Sequence, residues 1–236
     1  MSKVYRYFFL LAGLSVFTGS SVWSHSDVAP RVDQGELTNI YIQGTYHPEF
    51  EPPAPGTYEL PVIHTAKDHK VLDNSGNKVG LFESKKGKVA VLSFIYTSCT
   101  DPTGCPLSSG VLQRVDQILA KNPELADKVT LMTMSFDPER DNPKRMKKWE
   151  DKMVPKTDWK FFTSEDPEQL QIILDDFNQQ VDKLYNQDGK WSGLFRHVLK
   201  VFLLDEENNI RNIYSVGLFS PQLVMNDVET VLIGSQ

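Results

Sequence analysis

Cys99 and Cys105 are the only cysteines in a chain of 236 residues, and the five residues from Thr100 to Gly104 separate them. A chain of this length, 40% hydrophobic, buries a core without covalent help, so a lone pair of thiols is better suited to chemistry than to stapling. As a staple, so short a loop would constrain the unfolded chain by only about 2 kcal/mol. Two chemistries suit the pair. Held as thiolates, the sulfurs form a soft donor set for Cu(I), which a neutral imidazole would complete as a trigonal site. Held as a redox couple, they exchange electrons with other thiols. A third ligand decides between the two. Of the five histidines, His197 is the best placed, just ahead of the apolar run of Val198, Leu199 and Val201 to Leu204. On position alone, a histidine entering a strand is more often a structural residue than a ligand. His25, His47, His64 and His69 fall outside the inferred core.

These residues need elements to carry them. Lys88 to Thr97 reads as a central strand, with Val89, Val91, Leu92, Phe94, Ile95 and Tyr96 buried. The helix that follows, Pro106 to Lys121, places Leu107, Val111, Leu112, Val115, Ile118 and Leu119 on one face, with Pro106 in its first turn. Between them, Pro102 and Gly104 favour a tight turn that folds one sulfur toward the other. Cys105 directly precedes the helix, so unpaired N–H groups and the helix dipole are expected to favour its thiolate.

Further strands are expected over Val129–Phe136, Trp159–Thr163, His197–Asp205 and Ile210–Val216, and further helices over Pro143–Met153, Pro167–Val181 and Pro221–Leu232. Asp73 to Gly76 suits a hairpin between Val71 and Val79–Phe82, Glu206 to Asn209 another, and Asp188 with Gly189 a turn. Met132 and Met134 alternate on a strand and read as core. Strands alternating with helices predict an α/β thioredoxin-like fold, a mixed central sheet with helices on both faces and a terminal antiparallel hairpin. One domain, 57–236, is expected to follow an extended arm, 25–56, in which Tyr46 to Pro61 holds five prolines.

The first 24 residues differ from the rest: Lys3 and Arg6 precede an apolar run from Tyr7 to Phe17, then small and polar residues. This pattern predicts a signal peptide cleaved before His25, with a short uncleaved anchor as the alternative. No cysteine lies near the processing site for lipid attachment. Export places the thiols in an oxidising compartment, so thiolate chemistry there calls for a reductant. The net charge of −6 becomes −8 once Lys3 and Arg6 are removed, which argues against nucleic acid as a partner. The basic clusters Lys85–Lys88 and Lys144–Lys148 read as a solvated loop and a helix face. No Gly-rich phosphate loop, carboxylate-pair hydrolase pattern or serine elbow is present.

The stretches FIYTSC, GCP, SFDPERDNP and RHVLKVFLLDEENNI, in this order, resemble the Sco/SenC family of thioredoxin-fold copper-binding proteins that assist assembly of the copper centre of cytochrome c oxidase. The resemblance spans Thr57 to Leu232. It implies copper as the metal, with Cys99, Cys105 and His197 as ligands and Asp137 in a supporting role. The implied partners are the apo copper-bearing oxidase subunit, or another copper client, and a thiol reductant. The implied location is the periplasm, with the amino-terminal segment as an inner-membrane anchor in the alternative. Family members usually separate the cysteines by three residues rather than five, so a periplasmic thiol-disulfide oxidoreductase stands as the rival reading, though without C-x-x-C spacing. A binding module with a permanent disulfide is a second rival. Read without the resemblance, Asp137 begins a turn before Pro138, and Asp141 caps the next helix.

Overall fold

The computed structural model describes residues 50–235; the expected leader, the start of the arm, His25 and His47 lie outside them. The strands are β1 (His64–Thr65), β2 (Lys70–Asp73), β3 (Lys78–Gly80), β4 (Val89–Ile95), β5 (Val129–Ser135), β6 (Trp159–Thr163), β7 (Val181–Tyr185), β8 (Trp191–His197), β9 (Val201–Leu204) and β10 (Asn209–Tyr214). The helices are α1 (Cys105–Leu119), the single turn α2 (Pro123–Ala126), α3 (Pro143–Met153), α4 (Pro167–Asp176) and α5 (Pro221–Gly234).

Every residue of β4 and β5 is buried, as suits predominantly apolar and β-branched strands covered on both faces. They pair in parallel, Val89 opposite Val129 and Ile95 opposite Ser135, and β6 continues the parallel set beyond β5. The sheet runs β1-β10-β9-β4-β5-β6-β2-β3, and every pairing outside the β4-β5-β6 set is antiparallel. Side chains alternate along β4: Val89 and Val91 pack with Val111, Val115 and Val228 of α1 and α5, while Leu92 and Phe94 face Ile173, Leu174 and Phe177. Met132 and Met134 are fully buried among the second set.

The expected terminal hairpin is not the sheet's edge. β9 pairs with β4, β10 lies outside β9, and β1 caps that side by pairing His64 with Ile210. The helix expected over Pro167–Val181 ends at Asp176 because Asn178 turns left-handed (φ 47°), releasing the chain into β7. The strand expected over His197–Asp205 is two strands. His197 closes β8, which pairs only with β7 in a separate two-stranded sheet, and β9 begins at Val201. Apolar periodicity does not mark a change of partner strand, so the break is invisible to it.

The two hairpin turns of the eight-stranded sheet, β2-β3 and β9-β10, use one device. Asp73 Oδ1 accepts the N–H groups of Ser75 and Asn77, each at 2.9 Å, and its Oδ2 takes the Asn77 side-chain amide. Asp205 treats Glu207 and Asn209 in the same way and also holds Arg211 at 3.0 Å. Two expectations about surface residues are corrected. Lys85 is buried, because three carbonyls, those of Lys88, Asp205 and Glu206, converge on its ammonium at 2.8 to 3.0 Å. His69 is buried as well, bonded to Asp176 at 2.9 Å, whereas His64 is half exposed. The described end of the arm is tied down: Asn226 donates to the Pro53 carbonyl, Thr230 accepts from the Gly56 N–H, and Tyr58 donates to Asp227.

Candidate metal centre

The site grows from the carboxyl end of β4. The chain turns after Tyr96, whose carbonyl accepts the Cys99 N–H at 3.2 Å. Asp101 then organises the loop: its Oδ1 accepts the Thr103 N–H and hydroxyl, and its carbonyl takes the Gly104 N–H at 3.0 Å. Cys105 emerges as the first residue of α1, with Pro106 behind it. Five intervening residues therefore close as tightly as the Pro and Gly content predicts, and both cysteines are free thiols.

His197 arrives from β8. The two Sγ atoms and an imidazole nitrogen all lie within 4.8 Å of one another; Cys105 is buried, and Cys99 and His197 are partly exposed. No other His, Cys, Asp or Glu joins them among the described residues. The imidazole is walled by aromatic rings, with Phe136 centred 4.9 Å away and Tyr96 6.1 Å away. A cavity of about 290 Å³ opens beside it, bounded by Asp101, Thr103, Gly104, Val198 and Val216.

The expected thiolate is on the other sulfur. The neighbouring Cys105 thiol, opposed by burial but helped by His197 and by the N–H groups of Cys105 and Asp101, holds Cys99 well below the usual thiol range. Cys105 is pushed up by the Cys99 sulfur beside it, by burial and by repulsion from the Cys99 charge. The helix start does favour a thiolate, but its first N–H serves Cys99 across the loop as well as its own side chain, and at Cys105 the neighbouring Cys99 and burial outweigh it. The Tyr96 hydroxyl is pushed up to about 12, by burial and then by Cys99.

Asp137 lies outside the three-ligand cluster. It is buried, and its carboxylate holds the Arg140 Nε while its carbonyl accepts the N–H groups of Arg140 and Asp141. Burial raises its pKa, against the pull of Arg140. Asp141 does not cap α3; Asn142 does, accepting the Arg145 N–H at 3.0 Å. The Asn142-Pro143 pair, a cap followed by proline at the first helical position, carries that signal in the sequence. Asp141 is fully buried instead, accepting the Thr97 N–H at 2.8 Å, the Thr97 hydroxyl, and the Ser135 hydroxyl at 2.7 Å.

A family model described as SCO1/SenC matches residues 60–232. No curated protein matches the chain by sequence. Among solved structures, Arabidopsis thaliana ScoI with copper bound is 19% identical with a TM-score of 0.61, covering 72% of this chain and 99% of that one. Bradyrhizobium japonicum ScoI with copper bound is 24% identical with a TM-score of 0.58, covering 71% and 99%. BsSco, described as a disulfide-switch member of the Sco family of cytochrome c oxidase assembly proteins, is 22% identical with a TM-score of 0.56, covering 72% and 95%. The likeness of these structures fixes a Sco-type thioredoxin-like fold, and on the match of its family model over 60–232 the chain belongs to the SCO1/SenC family.

Proposed function

We propose that this protein is an exported copper carrier: Cys99, Cys105 and His197 bind copper and pass it by ligand exchange to the apo copper-bearing subunit of cytochrome c oxidase. The observation that carries the reading is the convergence of two sulfurs and one imidazole nitrogen within 4.8 Å. Two thiolates with one imidazole are a soft set that suits Cu(I), whereas hard cations prefer oxygen. Cys99 offers a ready thiolate, and Cys105 gives up its proton as the metal arrives. Partial exposure of Cys99 and His197 leaves a side from which an incoming ligand can displace them. Asp137 supports the site without ligating, and a thiol reductant keeps the pair open in an oxidising compartment. The apolar stretch before Phe17 supports export. Among the described residues, no helix is long and apolar enough to cross a membrane.

Copper content of protein purified under reducing conditions tests the assignment. One Cu(I) per chain is expected in the wild type, with loss in Cys99→Ser and in Cys105→Ser. His197→Ala should retain Cu(I) and bind Cu(II) more weakly. Wild-type protein that takes up no copper would overturn it.

The nearness of the two free thiols, their sulfurs within 4.8 Å, favours a second reading, a dithiol that exchanges with client disulfides. In that case the cysteine variants lose reductase activity while His197→Ala keeps it. A reduction potential above about −300 mV, the range of labile disulfides, would agree with it.

A further inference from the structure

The two halves of the site stand on different sheets. The sulfurs follow β4 in the eight-stranded sheet, whereas His197 ends β8, whose ladder partner is β7 alone. No strand pairing joins the halves among the described residues, so something else must set the imidazole over the sulfurs. We propose that Arg140, oriented by Asp137, is a positioning residue that clamps the His197 hairpin onto the cysteine loop. This rests on the copper reading for its consequence but not for its geometry.

The Arg140 guanidinium carbon lies 4.3 Å from the centre of the Trp191 ring, 5.6 Å from that of Phe195 and 5.7 Å from that of Tyr96. Trp191 and Phe195 belong to the hairpin, and Phe195 sits two residues before His197. Tyr96 belongs to the sulfur side, where its carbonyl accepts the Cys99 N–H. One cation therefore touches both halves through ring faces. Asp137 takes its Nε, while its Nη2 has no hydrogen-bond partner, so the flat face of the guanidinium does the work rather than its full set of donors.

The hairpin backbone is shaped to this contact. Gly193 has φ +83°, and a Cβ there would stand 3.2 Å from Arg140 Nη1. Any larger residue at 193 is strained and presses on the guanidinium. Lys183 adds a second cation, 4.6 Å from the Trp191 ring centre, and is itself held by Glu139 at 2.7 Å.

The test compares wild type, Arg140→Ala, Arg140→Lys, Gly193→Ala and His197→Ala. Arg140→Ala should still take one Cu(I) per chain but bind Cu(II) about tenfold more weakly, since a partly desolvated cation–π contact is lost. Its Cu(II) electron paramagnetic resonance spectrum should move toward that of His197→Ala. Arg140→Lys should recover part of the affinity, keeping the charge but not the flat stack, and Gly193→Ala should move in the direction of Arg140→Ala. A second readout uses reduced apo protein: Arg140→Ala should speed amide exchange in β8 and shift the His197 ring resonances, with β4 and β5 unchanged. Wild-type Cu(II) affinity and spectrum in Arg140→Ala overturn the proposal, as does unaltered β8 exchange. Copper-free wild-type protein overturns the copper reading alone, and the apo measurement still decides the clamp. If Arg140→Ala does not fold, Arg140→Lys and Gly193→Ala carry both readouts.

Discussion

Asp141 grips Thr97 by its backbone N–H and its hydroxyl at once, two residues before Cys99. Ser135 at the end of β5 donates to the same carboxylate, and Arg145 of α3 donates to the Thr97 hydroxyl at 2.9 Å. The start of the cysteine loop is thereby pinned to the neighbouring parallel strand and to the helix beyond it. Hydroxyls can swing to other acceptors, but the Thr97 N–H cannot. Removing its buried acceptor costs about 1 to 3 kcal/mol for that group alone. Asp141→Ala is therefore expected to lower stability by about 2 kcal/mol or more, read as a fall in the urea midpoint at unchanged slope. Asp141→Asn should recover part of the loss, because one acceptor oxygen remains. A midpoint equal to wild type in Asp141→Ala would mean the loop is held elsewhere.

The Asp205 turn makes a prediction about pH. Burial alone would raise this carboxyl, but the side-chain and backbone bonds from Asn209 and the Arg211 pair carry it below its ordinary value. A carboxyl depressed in the folded state lends stability that is complete above its unfolded pKa, about 3.9, and is lost as pH falls through the folded value. Asp205→Asn should therefore melt below the wild type at pH 7. The gap should narrow steadily below pH of about 4. Asp73, lowered through Asn77 in the same arrangement but more exposed, should show the same trend with a smaller gap. A gap between wild type and Asp205→Asn that stays constant from pH 7 to pH 3 would contradict the sign.

Most of the frame is legible in the chain because the local signals are strong. α3 and β6 run from Pro143 to Met153 and from Trp159 to Thr163, as the pattern predicts, since proline at a helix start and a short aromatic run leave few alternatives. β4 reads out as an apolar run broken only by Ser93, and β5 as β-branched and apolar residues in which Thr130 and Thr133 are the polar members before Ser135. What escapes is set by groups distant in sequence. The hairpin of β7 and β8 is hidden because half-exposed strands with an isolated partner carry little apolar periodicity. Cys99 takes the thiolate role because loop closure brings it to the helix N–H that Cys105 also uses, while the Cys99 sulfur and burial, which sequence neighbourhood does not show, hold Cys105 protonated. Arg140 gives no signal of its own, since a guanidinium beside an aspartate three residues away reads as a surface ion pair until the rings arrive.

Lys85 shows the same limit and can be tested directly. Its stem is buried and its ammonium donates to the carbonyls of Lys88, Asp205 and Glu206, joining the 3₁₀ turn over Glu83–Lys85 to the β9-β10 hairpin. Burial pushes its pKa down, and the nearby Asp205 charge pulls it back. Lys85→Met keeps the stem's packing but leaves three carbonyls without their donor, and hydrogen bonds to a charged group are among the more valuable, about 1.5 to 3 kcal/mol each. The loss is expected at roughly 3 kcal/mol, since carbonyls at the hairpin's rim regain some water. Lys86→Met is the matched control, because Lys86 is exposed one position on and should change stability by no more than about 0.5 kcal/mol. Urea denaturation of the two variants beside the wild type separates the cases. Equal midpoints would mean that the buried ammonium contributes nothing beyond its stem, and a loss confined to Lys85→Met ties the hairpin to the turn through that single charge.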